Sequence, residues 1–188
     1  MGRKEEETGV RARLGLAVKV LADGMGPDLV PAAGANIGYA LPGARSPGDV
    51  AAVEGGILIS GGGVRASGGT AFGVDVGVAR VILTTMRTDP AIRSAAVIRF
   101  SPALVPVFGH LLLDVCSFDR AREPPGVSTM DWGVASCCRE GVPDAIFDRG
   151  TTGKEGLVRI LGEEPVTVAQ IVLAMSTRLA GGQGNREE

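Results

Sequence analysis

An α/β fold is the class this sequence predicts, and three observations predict it. Short apolar runs of strand length, such as residues 95–100 and 157–161, alternate with stretches of helical spacing. The chain is 45% hydrophobic with only 4% aromatic residues, a small-residue composition that suits a compact core and a sheet buried on both faces. Its 188 residues allow one domain with a substantial core and are too few for two comfortable ones.

Taken in order, residues 1–8 are expected to be flexible, and a single domain to run from 9 to 180. Residues 8–23 read as an amphipathic helix with Val10, Leu14, Ala17, Val18 and Leu21 on one face, ended by Gly24 and Pro27. Such a helix cannot bury its stripe alone and must dock on the rest of the domain. Residues 35–40 form a short strand, 41–44 (LPGA) a turn, and 56–60 and 63–66 two strands around a Gly61-Gly62-Gly63 break.

The centre of the chain is residues 64–100. Gly68-Gly69-Thr70-Ala71-Phe72-Gly73 reads as a turn that no regular element could carry. It feeds a helix with Ala79, Ile82, Leu83 and Met86 as its apolar stripe, Asp75 as N-cap and Asp89-Pro90 as its stop. A turn entering a helix N-terminus offers free N–H groups to an anion; a plain loop before a core helix fits this stretch equally well. Residues 95–100 are a strand, Pro102 opens a helix ending at Gly109, and 111–118 are the strongest buried-strand candidate. A loop at 123–126, a helix from 129–133 through Glu140, strands at 144–148 and 157–161, a helix at 166–179 and a disordered tail at 181–188 complete the chain. There is no internal repeat.

The net charge is −2, with no basic face or tail, so direct nucleic-acid binding is not expected. No apolar run reaches membrane-span length and the start MGRKEEETG is not a signal peptide. A cytoplasmic protein is the expectation. Cys116, Cys137 and Cys138 are odd in number and lack metal-ligand spacing, which reads as reduced structural thiols. His110 reads as structural, and nothing resembles a Ser-His-Asp or Cys-His arrangement.

Candidate ligand contacts collect in four places. The first is the glycine turn, with Gly68, Phe72 and Gly73. The second is SFDR, with Asp119 and Arg120 after an apolar run. The third is MDWG, with Met130, Trp132 and Gly133, where the single tryptophan offers a face for a heterocycle. The fourth is DRGTTGKE, with Asp148, Arg149, Gly150 and Lys154. It is not a P-loop, since only two residues separate Gly150 from Gly153-Lys154 and Glu155 comes next, yet Arg149 and Lys154 could hold a phosphate. A turn with solvated charges is the plainer reading of that loop. No carboxylate spacing demands a metal.

In this order, GANIGYALPGA (34–44), GGTAFG (68–73), VARVILTTMRTDPAIRSA (78–95), IRFS (98–101), SFDR (117–120), STMDWG (128–133), VPDAIFDRG (142–150) and GKE (153–155) resemble the ThiN family, the archaeal-type thiamine-phosphate synthase domain. The resemblance covers roughly residues 9–180. It implies a three-layer α/β/α domain with a mixed sheet, aldolase-like, and a site for thiamine phosphate or its halves, hydroxymethylpyrimidine diphosphate and thiazole phosphate. In the synthase the thiazole nitrogen displaces diphosphate from the pyrimidine methylene, so donors aimed at the leaving group dominate catalysis. Mg2+ is expected only in company with a diphosphate ligand, and a homodimer is left open.

Synthase members carry an arginine on the strand before the glycine turn and a histidine early in the helix. Those positions fall here on Gly56 and Gly77. Family members that serve as thiamine-responsive sensors resemble this chain in lacking both. The resemblance therefore implies a ligand-binding paralogue with weak or absent synthase activity. The alternative is an active synthase in which Arg65 or Arg80 has taken over, and a structural partner that binds no ligand is a third class. One cavity lined by Phe72, Asp119, Met130, Trp132, Arg149 and Lys154 is expected.

Overall fold

The computed structural model describes residues 2–126 and 130–183, with nine strands and five helices among them. The strands are β1 (Asn36–Ala40), β2 (Val50–Val53), β3 (Ile57–Ser60), β4 (Gly63–Ala66), β5 (Thr70–Phe72), β6 (Ser94–Arg99), β7 (Val115–Ser117), β8 (Ala145–Phe147) and β9 (Leu157–Gly162). The helices are α1 (Arg3–Gly24), α2 (Val76–Thr88), α3 (Leu104–His110), α4 (Trp132–Cys137) and α5 (Pro165–Gln183). Seven strands form one mixed sheet ordered β5-β2-β1-β6-β9-β8-β7, and β3 with β4 forms a separate hairpin. Every neighbouring pair in the large sheet is antiparallel except β7 and β8.

Strand alternation divides the core in two. Ala96, Ile98, Ala145, Phe147, Val158 and Ile160 point to the side covered by α1, α3 and α5. Ala95, Ile146 and Leu161 point to the side covered by α2 and α4. This is the three-layer α/β/α arrangement. α1 and α5 run side by side in the same direction, since Arg13 pairs with Glu164 at 2.8 Å and the Gly26 N–H donates to Ser176 Oγ at 2.7 Å.

Several expectations need correction. Residues 3–8 are helical and not a flexible lead: α1 begins at Arg3, whose guanidinium reaches Glu7 and Asp49 at 2.8 and 2.9 Å, and Glu5 and Glu6 in its first turn suit the helix dipole. Of the expected tail, 181–183 continue α5, and 184–188 lie outside the described residues. The glycine turn does carry a strand: once Gly68 and Gly69 have made the bend, Thr70, Ala71 and Phe72 pair with Val53, Ala52 and Ala51. The run 111–118 is not a buried strand. Leu112 is 90% exposed with φ +55°, and only Val115–Ser117 pair, at the sheet edge. α4 ends at Cys137 rather than continuing to Glu140. The thiols are not all reduced: Cys116 and Cys137 form a disulfide, leaving Cys138 free and buried.

Candidate functional site

α2 starts at a tightly tied point. Asp75 Oδ1 accepts from the Val78 N–H at 2.9 Å, and its Oδ2 accepts from Asn36 Nδ2 at 2.8 Å. The buried Asn36 amide also donates to the Val53 carbonyl and accepts from the Ile37 and Val53 N–H groups, so one side chain fixes β1, β2 and the helix start together. Beside it lies a small cleft of about 120 Å3 whose lining includes Asn36, Gly55, Gly56 and Asp75. Gly56 is not in a strand but in the turn between β2 and β3, at φ +76°, where an added Cβ would stand 2.9 Å from the Ala35 carbonyl oxygen. Gly77 is exposed in the first turn of α2, and a Cβ there would stand 3.3 Å from Asp75 Oδ1. The two positions, remote in sequence, thus meet around the Asp75 carboxylate.

A separate groove of about 760 Å3 runs along α2, lined by Val76, Arg80, Leu83 and Arg87 on the helix and by Arg45 and Pro47 opposite. A second hollow of about 370 Å3 shares Arg80 and adds Glu123, Met130 and Trp132. Arg87 Nη1 donates to Met130 Sδ at 2.7 Å, joining the two. Among the described residues, no carboxylate is paired with the guanidinium of Arg45, Arg80 or Arg87. Three guanidinium groups with no carboxylate paired to them among the described residues, one of which, Arg80, shares a hollow with Trp132, can hold a phosphorylated heterocycle.

The wall opposite α2 depends on Asp49. Burial opposes its charge, but hydrogen bonds from the Arg45 backbone, the Arg3 guanidinium and Ser46 outweigh that and lower its pKa from 3.8 to about 2. A depressed folded-state pKa contributes stability above the unfolded value that is lost as pH falls through the folded one. Acidification from about pH 4 to 2 should therefore destabilise wild type more than Asp49→Asn. Denaturant midpoints across that window check this; parallel losses in both proteins would mean that Asp49 carries no such linkage.

The remaining sequence-predicted residues separate into groups. Asp148 is fully buried and accepts from Arg159 at 2.7 Å and Arg120 at 3.0 Å. Arg159 lies over the Phe118 ring at 5.1 Å, and Phe118 meets Trp132 edge-on at 6.1 Å. A Cβ on Gly133 would stand 2.2, 2.3 and 2.4 Å from three carbons of the Phe118 ring, so glycine there permits this packing. Arg120, Asp148, Trp132 and Gly133 are therefore brought together, with Met130 alongside Trp132 in the second hollow. Gly150 sits at φ +77° and donates to Asp148 Oδ1 at 2.8 Å.

The others do not join them. Phe72 and Gly68 belong to the β5 edge, at the opposite end of the sheet from SFDR, and Phe72 packs on the α1 side. Gly73 lies near Gly48, at the margin of the groove wall. Asp119 caps a short 3-10 turn by accepting from the Ala121 N–H at 2.9 Å. Arg149 turns to the other face of the sheet, over the Phe100 and Phe147 rings at 5.4 and 5.6 Å. Lys154 is exposed in the loop, outside the lining of the groove or the hollow. Ser128 and Thr129 of STMDWG lie outside the described residues. The single cavity expected for these side chains is thus not formed. Sequence reasoning missed Arg45 and Arg87; the seven-residue spacing of Arg80 and Arg87 on α2, off the apolar stripe, was the signal that could have found the helix pair.

The model of the family described as Thiamine-phosphate synthase ThiN matches residues 13–174. The chain is 40% identical over 150 residues to the bifunctional thiamine biosynthesis protein ThiDN of Methanocaldococcus jannaschii, a match over 77% of this chain and 35% of that protein. It spans about a third of that relative's length. It is 31% identical over 164 residues to thiamine-phosphate synthase ThiN of Methanothermobacter thermautotrophicus, over 84% of this chain and 86% of that one. Among solved structures, the C-terminal domain of protein MJ0236 superposes with a TM-score of 0.86 at 34% identity, covering 94% of this chain and 98% of that one. At the level of fold alone, the aldolase-like YgbL of Klebsiella pneumoniae reaches a TM-score of 0.51 at 14% identity, over 96% of this chain and 92% of that one. On the family match and these relatives, the chain belongs to the thiamine-phosphate synthase ThiN family.

Proposed function

We propose that this chain binds thiamine phosphate or its precursors, hydroxymethylpyrimidine diphosphate and thiazole phosphate, in the groove along α2, with little or no synthase activity. One observation carries the reading. The two positions where synthase members resembling this chain have arginine and histidine are both glycine: Gly56 lines the small cleft together with Asp75, and a Cβ on Gly77 would stand 3.3 Å from Asp75 Oδ1 at the start of the helix whose arginines line the groove. The cations available to hold a ligand remain, while the start of α2 has no side chain to assist departure of diphosphate. Losing one preorganised donor slows such a step roughly 100-fold or more.

Among the described residues, no three His, Cys, Asp or Glu side chains are grouped as a metal cage. In this reading Mg2+ enters as an ion carried in by a diphosphate. A homodimer and a cytoplasmic setting are part of the same proposal, and light scattering measures the former.

A turnover assay with both precursors and Mg2+ tests the central claim. The expected rate is far below the ordinary enzymatic scale, on the order of 1 per second. Gly77→His should raise kcat more than it changes KM, because the imidazole would enter beside Asp75 and act on the transition state. Gly56→Arg is a harder restoration, since a side chain there meets both a positive φ and the Ala35 carbonyl. A wild type already turning over at the ordinary rate would instead support the second reading, an active synthase. That reading rests on Arg80, which lines both the groove and the hollow with no carboxylate paired to it among the described residues.

A further inference from the structure

We infer that the Cys116–Cys137 bond is a redox latch on the hollow at Trp132. Oxidised, it clamps α4 and keeps the hollow formed; reduced by a dithiol, it frees α4 and with it the wall that Trp132 supplies. The inference goes beyond the ligand reading above and stands whichever ligand the site takes.

The two ends of the bond are anchored very differently. Cys116 sits in β7, which pairs with β8 over its whole length. Around that strand the Asp114 carbonyl accepts from the Asp144 and Ala145 N–H groups, and the Phe118 N–H donates to the Phe147 carbonyl. Asp144 Oδ2 also accepts from the Asp114 N–H at 2.8 Å. This strand keeps its place without the sulfur. Cys137 ends α4, which has no ladder of that kind. Val134 is the large side chain that α4 buries fully. Two bonds to α2 hold its ends, the Asp131 N–H donating to Thr84 Oγ1 at 3.0 Å and Thr88 Oγ1 to the Cys138 carbonyl at 3.2 Å. Six residues are far below the length at which a helix stands alone. Breaking the bond therefore releases α4 and not β7.

What α4 carries is what the latch controls. Trp132 opens the helix, lines the hollow shared with Arg80 and meets Phe118 edge-on at 6.1 Å. Phe118 is tied to the sheet through its own N–H, so movement of α4 parts the two rings. Cys138 follows the helix and is 4% exposed, so the same movement uncovers a thiol. Both bonded cysteines are half-buried, within reach of a reductant. A thiolate of the dithiol attacks one protein sulfur, breaking the S–S bond and forming a mixed disulfide. The second thiolate of the reductant then displaces that sulfur. Two electrons pass to the protein pair, two protons end on Cys116 and Cys137, and the reductant leaves as its own disulfide.

The test compares oxidised wild type, wild type in dithiothreitol and the Cys116→Ala, Cys137→Ala variant, all as the whole chain without denaturant. Acrylamide quenching of the single tryptophan should rise about twofold or more on reduction and fall back on reoxidation. Cys138 is the one free thiol in both oxidised wild type and the variant, and iodoacetamide should alkylate it faster in the variant. Amide exchange separates a latch from a general brace. On reduction, residues 131–138 should lose protection by about tenfold or more beyond the loss in β6 and β9. Should the variant fail to fold, wild type in dithiothreitol carries the quenching and exchange readings. Quenching indifferent to reduction overturns the latch. A common loss of protection in α4, β6 and β9 also overturns it, since the bond would then brace the whole fold with no hinge at α4. Wild type that stays fully reduced after treatment with diamide overturns it outright.

Discussion

Asp148→Ala should be the most damaging single side-chain truncation in the molecule. The carboxylate is fully buried, holds Arg159 and Arg120 through one oxygen, and accepts the Gly150 N–H through the other. Removing it leaves two guanidinium groups without a counter-charge, and that of Arg159 is itself buried. Breaking a buried pair in this way costs about 3–5 kcal/mol, which for a chain of this size lowers Tm by roughly 6–20 °C. Asp148→Asn keeps the shape and the acceptor for Gly150 and should fall between. The emission of the single tryptophan gives a second readout, because Arg159 supports Phe118 and Phe118 supports Trp132. Thermal melts with Asp148→Ala within about 1 kcal/mol of wild type would show that the arginines are held by something else.

Reduction of the Cys116–Cys137 disulfide is expected to have the next largest effect. The bond links the edge strand β7 to the end of α4 across a sequence separation of 21, and closing a loop of that size constrains the unfolded chain by about 3 kcal/mol. α4 has only six residues and cannot hold itself as a helix without tertiary support. Wild type in a dithiol reductant should therefore match the Cys116→Ala, Cys137→Ala double variant, and both should fall below oxidised wild type in denaturant melts. Burial, with the Asp131 charge as a smaller contributor, pushes the Cys138 thiol up, which keeps it a poor thiolate and a poor competitor for the bond. Oxidised and reduced protein with equal stability would rule out any tethering role.

The parts of the fold that were legible in the sequence are those with strong periodicity or local chemistry. α2 was readable because its stripe, its Asp75 cap and its Asp89-Pro90 stop agree with one another. β9 and β6 were readable as apolar runs of strand length. β5 and β2 were not, because three or four small residues carry little pattern and form strands only by pairing with partners distant in sequence. The run 111–118 misled for the opposite reason: its apolar residues are apportioned among a helix end, an exposed turn and a short edge strand.

The site divides along the same lines. Trp132, Gly133, Arg120 and Asp148 come together because their segments border neighbouring strands at one end of the sheet. Phe72 was placed with them on the strength of glycines alone, and sheet order sets it at the other edge. Arg149 and Asp148 are adjacent in sequence, yet alternation along the chain sends them to opposite layers. Arg45 could not be anticipated, since its role depends on a turn folding back towards α2.

The parallel course of α1 and α5 has a mechanical consequence. Because the two helices run in the same direction, the start of α1 and the end of α5 lie towards opposite poles of the layer they form. A force applied between the two ends of the described chain therefore slides α1 along α5 and does not peel it away. Sliding strains the whole interface at once, with Arg13–Glu164, Gly26–Ser176 and the buried stripe of Val10, Leu14, Ala17 and Leu21 all loaded together. Resistance to pulling is a matter of unfolding rate, and this shear geometry places a high barrier on the axis along which a tether attached at either end would draw.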